Sequence, residues 1–119
     1  MARKFRFGVQ VARPCSQDEW QAKARKLEDL GYSSIFLPDH FPNQLAPLPA
    51  LMAAADATTS LRVGTMVLGN DYRHPLMLAM EAATIDMLSG GRLELGIGAG
   101  WMRIDYDAAG LAYDRPGVR

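Results

Sequence analysis

Residues 61–101 read LRVGTMVLGNDYRHPLMLAMEAATIDMLSGGRLELGIGAGW and carry the signals of a strand, a helix and a second strand. Residues 61–68 form an apolar run with β-branched members, which is typical of a strand buried on both faces. The segment that follows has apolar residues at helical spacing and ends at Gly90 and Gly91. Residues 93–97 form a second short apolar run. Two such strands joined through a helix predict a βαβ unit within a parallel sheet.

The helical segment between these strands opens at Pro75, a residue suited to the first position of a helix because it lacks an N–H to satisfy. Apolar residues recur along this segment at the spacing of one helix face, and we expect that face to pack in the core. Its members are Leu78, Ala82 and Ile85, widened by Met77, Met80, Ala83 and Leu88.

The remaining sequence repeats the same alternation of strand and helix. Ser16, followed three residues later by Glu19, has the spacing of a capping box and predicts where the first helix begins. A second helix is expected to begin near Pro47 or Pro49 and to run to about Thr58. We predict strands at residues 4–11, 33–37, 61–68 and 93–97, with three full helices between or after them and a short helical piece near residues 105–109.

This alternation predicts an α/β fold with parallel strands. It fits the first four β/α units of an eight-stranded β/α (TIM) barrel, or a small doubly wound sheet. A full barrel takes about 250 residues, whereas this chain has 119 and ends in a polar stretch. We therefore expect residues 1–119 to be the N-terminal part of a barrel domain, as a fragment or a truncated product.

Charge and composition narrow the class of protein. The 13 basic and 13 acidic side chains give a formal net charge of zero, which argues against nucleic acid or a membrane surface as the main partner. No apolar run reaches the roughly 18 residues of a membrane-spanning helix. Cys15 is the one cysteine, so an internal disulfide is excluded. Without a secretory signal pattern at the start, the expected location is the cytoplasm.

The carboxyl ends of the strands are where α/β folds bind ligands. His40, His74 and Trp101 all follow predicted strands. Asp39 lies beside His40, and a carboxylate next to an imidazole could orient a general acid or base, or a donor to a ring ligand. The alternative is a histidine that donates to a backbone carbonyl and steadies its loop.

Two further patterns have both structural and functional interpretations. Arg73 could pair with a surface carboxylate or face an anionic cofactor tail, and His74 could cap the third helix. The glycines of residues 96–100 do not match the dinucleotide-binding spacing G-x-G-x-x-G in either register. They could let the backbone approach a flat ligand beside Trp101, or form a tight turn with Trp101 in the core. No metal-ligand cluster is visible in the sequence.

Taken together, these motifs resemble the bacterial luciferase-like monooxygenases, and most closely the branch that uses the deazaflavin coenzyme F420. The resemblance runs from the first strand to Arg119. It is carried by DHF at residues 39–41, RHP at residues 73–75, ATIDMLSGGRLELGIGAGW at residues 83–101 and DYDAAGLAYDRPGVR at residues 105–119.

The resemblance implies a TIM barrel that binds F420, or alternatively FMN, with the ring at the carboxyl ends of the strands. It implies two-electron chemistry on a small organic substrate, with His40 and Asp39 as the catalytic candidates. It also implies a non-proline cis peptide near residues 68–70. The residues expected to contact the cofactor are Leu68, Gly69, Asn70, Gly98, Ala99, Gly100 and Trp101.

Three departures from the family accompany this resemblance. Some members have an acidic Glu where this chain has Trp101, and many have Glu where it has Asp105. Members also continue through four further strands that complete the pocket. The alternative to an enzyme module is therefore a non-catalytic half-barrel, which would form a homo-oligomer or associate with a missing C-terminal half.

Overall fold

The computed structural model describes residues 4–119, so residues 1–3 of the predicted domain lie outside the described part. Strands and helices alternate along the chain as expected. The strands are β1 (Gly8–Gln10), β2 (Ser34–Leu37), β3 (Arg62–Thr65), β4 (Leu68–Gly69), β5 (Leu93–Glu94) and β6 (Ile97–Gly98). The helices are α1 (Gln17–Asp29), α2 (Pro47–Asp56), α3 (Pro75–Leu88) and α4 (Arg103–Ala109), with a 3-10 turn at Asn70–Tyr72 before α3.

All the strand pairs are parallel, and their order distinguishes the two predicted architectures. The main sheet has the order β1-β2-β3-β5, and β4 pairs with β6 beyond it. A doubly wound sheet reverses its strand order at a switch point, whereas a β/α barrel adds strands in chain order. The observed order is therefore that of a partial barrel. Its core lies between the sheet and the helices, where Ile35, Leu51 and Val63 are fully buried.

The two strands predicted at residues 61–68 and 93–97 are each broken in two. A cis peptide joins Met66 to Val67 at the first break, so the expectation of a cis bond near residues 68–70 was wrong in its position. Where the two strands are broken, the Thr65 hydroxyl accepts from the Gly96 N–H at 2.9 Å and donates to the Gly96 carbonyl at 2.9 Å. A side chain thus replaces backbone partners here, and regular pairing resumes only with β4 and β6.

The first strand is shorter than the predicted residues 4–11. Only Gly8–Gln10 pairs with β2, because a strand exists only where a neighbour satisfies its backbone groups. Phe5 and Phe7 lie before it with 91% and 69% of their surface exposed. The predicted strand therefore begins too early in the sequence.

The first helix begins as predicted. Ser16 accepts from the Glu19 N–H, and the Glu19 carboxylate accepts from the Ser16 N–H at 2.8 Å, which confirms the capping box. The helix buries Trp20, whose indole N–H donates to the Ala50 carbonyl at 2.8 Å and so ties α1 to α2.

The third helix buries less of its apolar surface than expected. Ala82 and Ile85 are buried against α2 and β5, but Met77, Met80 and Leu88 are 53%, 59% and 63% exposed. The helix is apolar around most of its circumference, and only one side of it meets the sheet and α2. An apolar face this wide is typical of a helix with further packing partners.

Glu28, near the end of α1, binds the backbone of the segment that leads into β3. Its carboxylate accepts from the backbone N–H groups of Thr59, Ser60 and Leu61 at 3.0, 2.6 and 2.8 Å. Burial opposes its ionisation, but these hydrogen bonds outweigh that cost and lower the pKa of Glu28 from 4.5 to about 2. The carboxylate therefore acts as a cap that fixes how the chain turns from α2 into the sheet.

Glu28→Gln is expected to lower the free energy of unfolding by about 1–2 kcal/mol at neutral pH, because charged acceptors make the stronger hydrogen bonds. The folded pKa lies below the unfolded value, so this stabilisation is present above about pH 4.5 and is lost as the pH falls toward 2. Urea denaturation at a series of pH values measures it. Asp29→Asn, at an exposed neighbour, is the matched control, and an equal effect of both variants would refute the cap.

Candidate functional site

A cleft of about 260 Å³ opens at the carboxyl ends of the strands. It lies where β1 ends at Gln10, where the chain leaves β2, and along the break between β3 and β4. Gly100 and Trp101, which follow β6, form its opposite wall. Its lining residues are Gln10, Pro38, Asp39, His40, Met66, Val67, Leu68, Gly69, Tyr72, Gly100 and Trp101.

His40 is held by a carboxylate from the far end of the chain. Its Nδ1 lies 2.7 Å from Oδ2 of Asp105, which is fully buried at the start of α4. The other oxygen of Asp105 accepts from the Phe41 N–H at 3.0 Å. A carboxylate partner at Nδ1 favours the tautomer that carries its proton there, which leaves Nε2 free to accept or donate a proton.

Asp39 does not orient His40, so that interpretation of the Asp39–His40 pair is wrong. Asp39 is buried, pairs with the guanidinium of Arg73 and accepts from the Gly69 N–H at 2.9 Å. Successive residues beyond a strand point in different directions, and each of the two side chains finds its partner elsewhere. The interpretation of His40 as a donor to a backbone carbonyl is also wrong, because its partner is the carboxylate of Asp105.

Arg73 therefore forms an ion pair within the protein. It pairs with a carboxylate as one interpretation predicted, although that carboxylate is buried and not on the surface. Its engagement with Asp39 argues against the other interpretation, in which it faces an anionic cofactor tail. His74 accepts from the Leu76 N–H at 3.2 Å, which confirms it as the cap of α3.

Trp101 is an exposed wall of the cleft. It is 69% exposed and meets the His40 ring edge to face, with centroids 5.9 Å apart and planes at 87°. The interpretation of Trp101 as a core residue is therefore wrong. An aromatic ring that remains this open beside a histidine is available to a flat ligand.

The glycines around β6 are required by the protein's own packing. A Cβ at Gly96 would meet the Thr65 carbonyl at 2.4 Å, and one at Gly98 would meet the Val67 side chain at 2.7 Å. Gly100 has a φ of +75°, and a Cβ there would meet the Tyr106 hydroxyl at 2.4 Å. The close approaches that these glycines permit are thus to β3, β4 and α4, and not, as expected, to a ligand alone.

The structure brings together six of the nine residues predicted for the site, namely Asp39, His40, Leu68, Gly69, Gly100 and Trp101. Asn70 lines a different cavity, beside Arg73 and α3. Gly98 lies within β6, paired with Gly69 of β4, and Ala99 turns its carbonyl to the Tyr106 hydroxyl at 3.0 Å. These last three residues do not line the cleft.

Tyr72 is the clearest lining residue that the sequence pattern did not predict. Its ring lies against Gly69, packs 4.8 Å from the ring of Phe41 and contributes to the cleft. Burial and the nearby charge of Asp105 raise the pKa of Tyr72 to about 12, so its hydroxyl stays protonated near neutral pH. Its place at the end of the NDY turn, among residues that follow a strand, was the available signal.

Residues 4–119 contain neither a cluster of metal ligands nor a helix that could span a membrane. Within that range no group of three or more His, Cys, Asp or Glu side chains could hold a metal ion. None of the helices there combines the length and the apolar character needed to cross a bilayer.

Comparison with known proteins supports the resemblance in the sequence. A family model described as luciferase-like monooxygenase matches residues 4–119. The 5,10-methylenetetrahydromethanopterin reductase of Methanopyrus kandleri is 34% identical over 107 residues, which cover 90% of this chain and 30% of that protein. The 4-hydroxyprotoasukamycin monooxygenase of Streptomyces nodosus subsp. asukaensis is 32% identical over 108 residues, which cover 87% of this chain and 28% of that protein.

Solved structures show the same fold. The coenzyme F420 dependent tetrahydromethanopterin reductase from Methanopyrus kandleri superposes with a TM-score of 0.83 at 28% identity, covering 93% of this chain and 31% of that one. The oxygenating constituent of 3,6-diketocamphane monooxygenase from Pseudomonas putida, solved with FMN, gives a TM-score of 0.81 at 21% identity, covering 95% and 35%. This second likeness is one of fold alone.

The matches also show how much of a family member this chain covers. It spans between 26% and 33% of the length of the curated relatives that it matches. The strand order, the cleft at the strand ends and the family match over residues 4–119 agree with one another. The chain belongs to the luciferase-like monooxygenase family, as a partial barrel.

Proposed function

We propose that the cleft binds the ring of coenzyme F420 or FMN, and that the chain is the N-terminal part of an F420- or FMN-dependent oxidoreductase that acts on a small organic substrate in the cytoplasm. The observation that carries this proposal is the placement of His40, oriented by Asp105, between an apolar strand break and the exposed face of Trp101. Relatives described as F420-dependent support the choice of F420, and FMN is the alternative that the resemblance in the sequence implies.

The residues of the cleft fit the flat part of such a cofactor. Met66 and Val67 offer an apolar surface, and Trp101 offers an aromatic one. At about 260 Å³ the cleft is slightly below the roughly 300–1,000 Å³ of sites that enclose a whole ligand. No Lys or Arg is among the lining residues of the described cleft, so an anionic tail needs contacts from elsewhere in a complete barrel.

The bound ring would supply two-electron redox chemistry. The chain's own contribution is a proton site at Nε2 of His40, since the hydrogen bond from Nδ1 to Asp105 fixes the orientation of the imidazole. Tyr72 lines the same cleft with a hydroxyl that stays protonated near neutral pH. The Trp101 ring packs edge to face against His40.

His40→Ala is expected to weaken FMN and F420 binding about tenfold, which corresponds to about 1.4 kcal/mol for one lost polar contact to the ring. Titration of the 119-residue chain, followed by cofactor fluorescence, measures the dissociation constant. His74→Ala is the matched control, because His74 caps α3 away from the cleft. Equal weakening by both variants would remove His40 from the site. Absence of binding at high micromolar cofactor would show that this part of the barrel is insufficient.

A second candidate function is that of a non-catalytic assembly partner, and it rests on the open edges of the sheet. Phe5 and Phe7 are exposed beside β1, and Leu95 and Ile97 are 44% and 52% exposed near β5 and β6. Unpaired strand edges with apolar neighbours favour association with another chain, either a second copy or the rest of a barrel. Light scattering coupled to size exclusion measures the mass, and a monomer at high micromolar concentration would contradict self-association.

A further inference from the structure

Three consecutive backbone carbonyls on one wall of the cleft are each held by a side chain from beyond β6. The Ala99 carbonyl accepts from the Tyr106 hydroxyl at 3.0 Å, and the Gly100 carbonyl accepts from Nη2 of Arg119 at 3.2 Å. The Trp101 carbonyl accepts from the Tyr113 hydroxyl at 2.7 Å. We call residues 99–101 the cleft wall, in which Gly100 and Trp101 line the cleft itself and Ala99 links them to β6. We call Tyr106, Tyr113 and Arg119 the clamp.

The three clamp side chains also pack on one another. The guanidinium carbon of Arg119 lies 4.3 Å from the centre of the Tyr113 ring and 5.6 Å from that of Tyr106. The two tyrosine rings meet edge to face with centroids 5.0 Å apart. Such stacking suits the planar guanidinium, which Lys cannot imitate. Arg119 is held by these rings and by the hydrogen bond from its Nη1 to the Asp114 carbonyl at 2.6 Å. Its Nε is buried without a partner among the described residues.

The inner end of the clamp is tied to the sheet. The single O–H proton of Tyr106 is shared between the Ala99 carbonyl and the carboxylate of Asp71, which lies 2.9 Å away in the turn after β4. The ring of Tyr106 is fully buried against Tyr72. Tyr106 directly follows Asp105, the carboxylate that orients His40. The clamp thus connects the wall that carries Trp101 with the residues that position His40.

We propose that Tyr113 and Arg119 are positioning residues, which hold the cleft wall so that Trp101 keeps its edge-to-face contact with His40. Without these two side chains, few contacts would hold the wall in place. Gly100 has no side chain and a left-handed backbone, and the side chain of Trp101 is mostly exposed. The claim that an ordered cleft wall aids cofactor binding rests on the proposed function. The claim that Tyr113 and Arg119 keep the wall ordered does not.

The first test reads Trp101 directly by 15N relaxation of the indole N–H groups in the 119-residue chain. Tyr113→Phe removes one hydroxyl, and Arg119→Met removes the guanidinium while keeping the length of the side chain. Both variants are expected to lower the order parameter of the Trp101 indole from about 0.85 toward about 0.6. The buried Trp20 indole, bonded to Ala50, is the internal control for folding and should not change.

Arg115→Met is the matched control, because Arg115 lies in the same segment, is exposed and makes no side-chain hydrogen bond within residues 4–119. A Trp101 indole that is already flexible in the unaltered chain, or that Tyr113→Phe and Arg119→Met leave as ordered as Arg115→Met does, would overturn the clamp. If Arg119→Met disturbs the Trp20 signal, Tyr113→Phe alone decides the question.

The second test is FMN titration of the same variants. Tyr113→Phe and Arg119→Met are each expected to weaken binding about threefold, because the wall must then be ordered at the moment of binding, whereas Arg115→Met should leave it unchanged. If the unaltered chain binds neither FMN nor F420, this part of the barrel is insufficient for cofactor binding, while the relaxation test of the clamp still stands. Unaltered FMN affinity together with a disordered Trp101 would overturn the functional part of the inference.

Discussion

Arg73→Met is expected to lower the free energy of unfolding by about 3–5 kcal/mol, a large part of the stability of a chain this size. The substitution keeps an apolar stem of similar length but removes the guanidinium that neutralises Asp39. The Asp39 side chain is only 2% exposed, so water cannot replace the lost partner. Only the hydrogen bond from the Gly69 N–H would then remain to stabilise the buried negative charge of Asp39. Urea denaturation followed by circular dichroism measures the loss.

Two controls separate this effect from a general response to the substitution. Arg103→Met removes a 3.7 Å ion pair with Asp107 whose side chains are 73% and 62% exposed, and should cost less than about 0.5 kcal/mol. The double variant Asp39→Asn with Arg73→Met removes the buried charge together with its partner. It should be more stable than Arg73→Met alone, and a double variant that is less stable would refute the account of Asp39 as a paired buried charge.

Asp105→Asn is expected to lower the free energy of unfolding by about 3 kcal/mol, because a charge-assisted bond is lost in a fully buried site. It should also change the tautomer of His40. An amide can accept from the Phe41 N–H through its oxygen, but it then presents its NH₂ group to Nδ1 of His40. The ring must accept at Nδ1 and carry its proton on Nε2.

The 15N chemical shifts of the imidazole nitrogens measure the tautomer, and denaturation measures the stability. Asp107→Asn places the same change on the exposed face of α4 and should affect neither. Because the proposed role of His40 depends on a free Nε2 lone pair, Asp105→Asn should weaken FMN binding at least as much as His40→Ala. A protonated Nδ1 that persists in Asp105→Asn would contradict the assigned orientation.

The prediction of the fold from sequence succeeded where the signals are local. The capping box at Ser16, the cap at His74 and the prolines at the starts of α2 and α3 act within a few residues, so their effect can be deduced from spacing alone. The breaks within the two later strands could not be deduced in this way. They depend on the Thr65 hydroxyl meeting Gly96, a contact across 31 residues that spacing does not encode.

The prediction of the site succeeded in location and failed in pairing. Parallel strands deliver their carboxyl ends to one edge, so His40 and Trp101 were expected together and are together. The partner of His40 was expected at the adjacent position and lies 65 residues away at Asp105, while Asp39 meets Arg73 across 34 residues. Adjacency in the chain says little about contact at the end of a strand, where neighbouring side chains diverge.

The sequence by itself determined the alternation of strands and helices, their parallel arrangement and the edge of the sheet at which the cleft lies, because apolar periodicity and end signals act over short distances. The tertiary structure alone decided which carboxylate each cation or imidazole meets, and which side chains hold the wall at Trp101. Those contacts join segments that only the packing of the sheet brings within hydrogen-bonding distance, where burial makes each partner necessary.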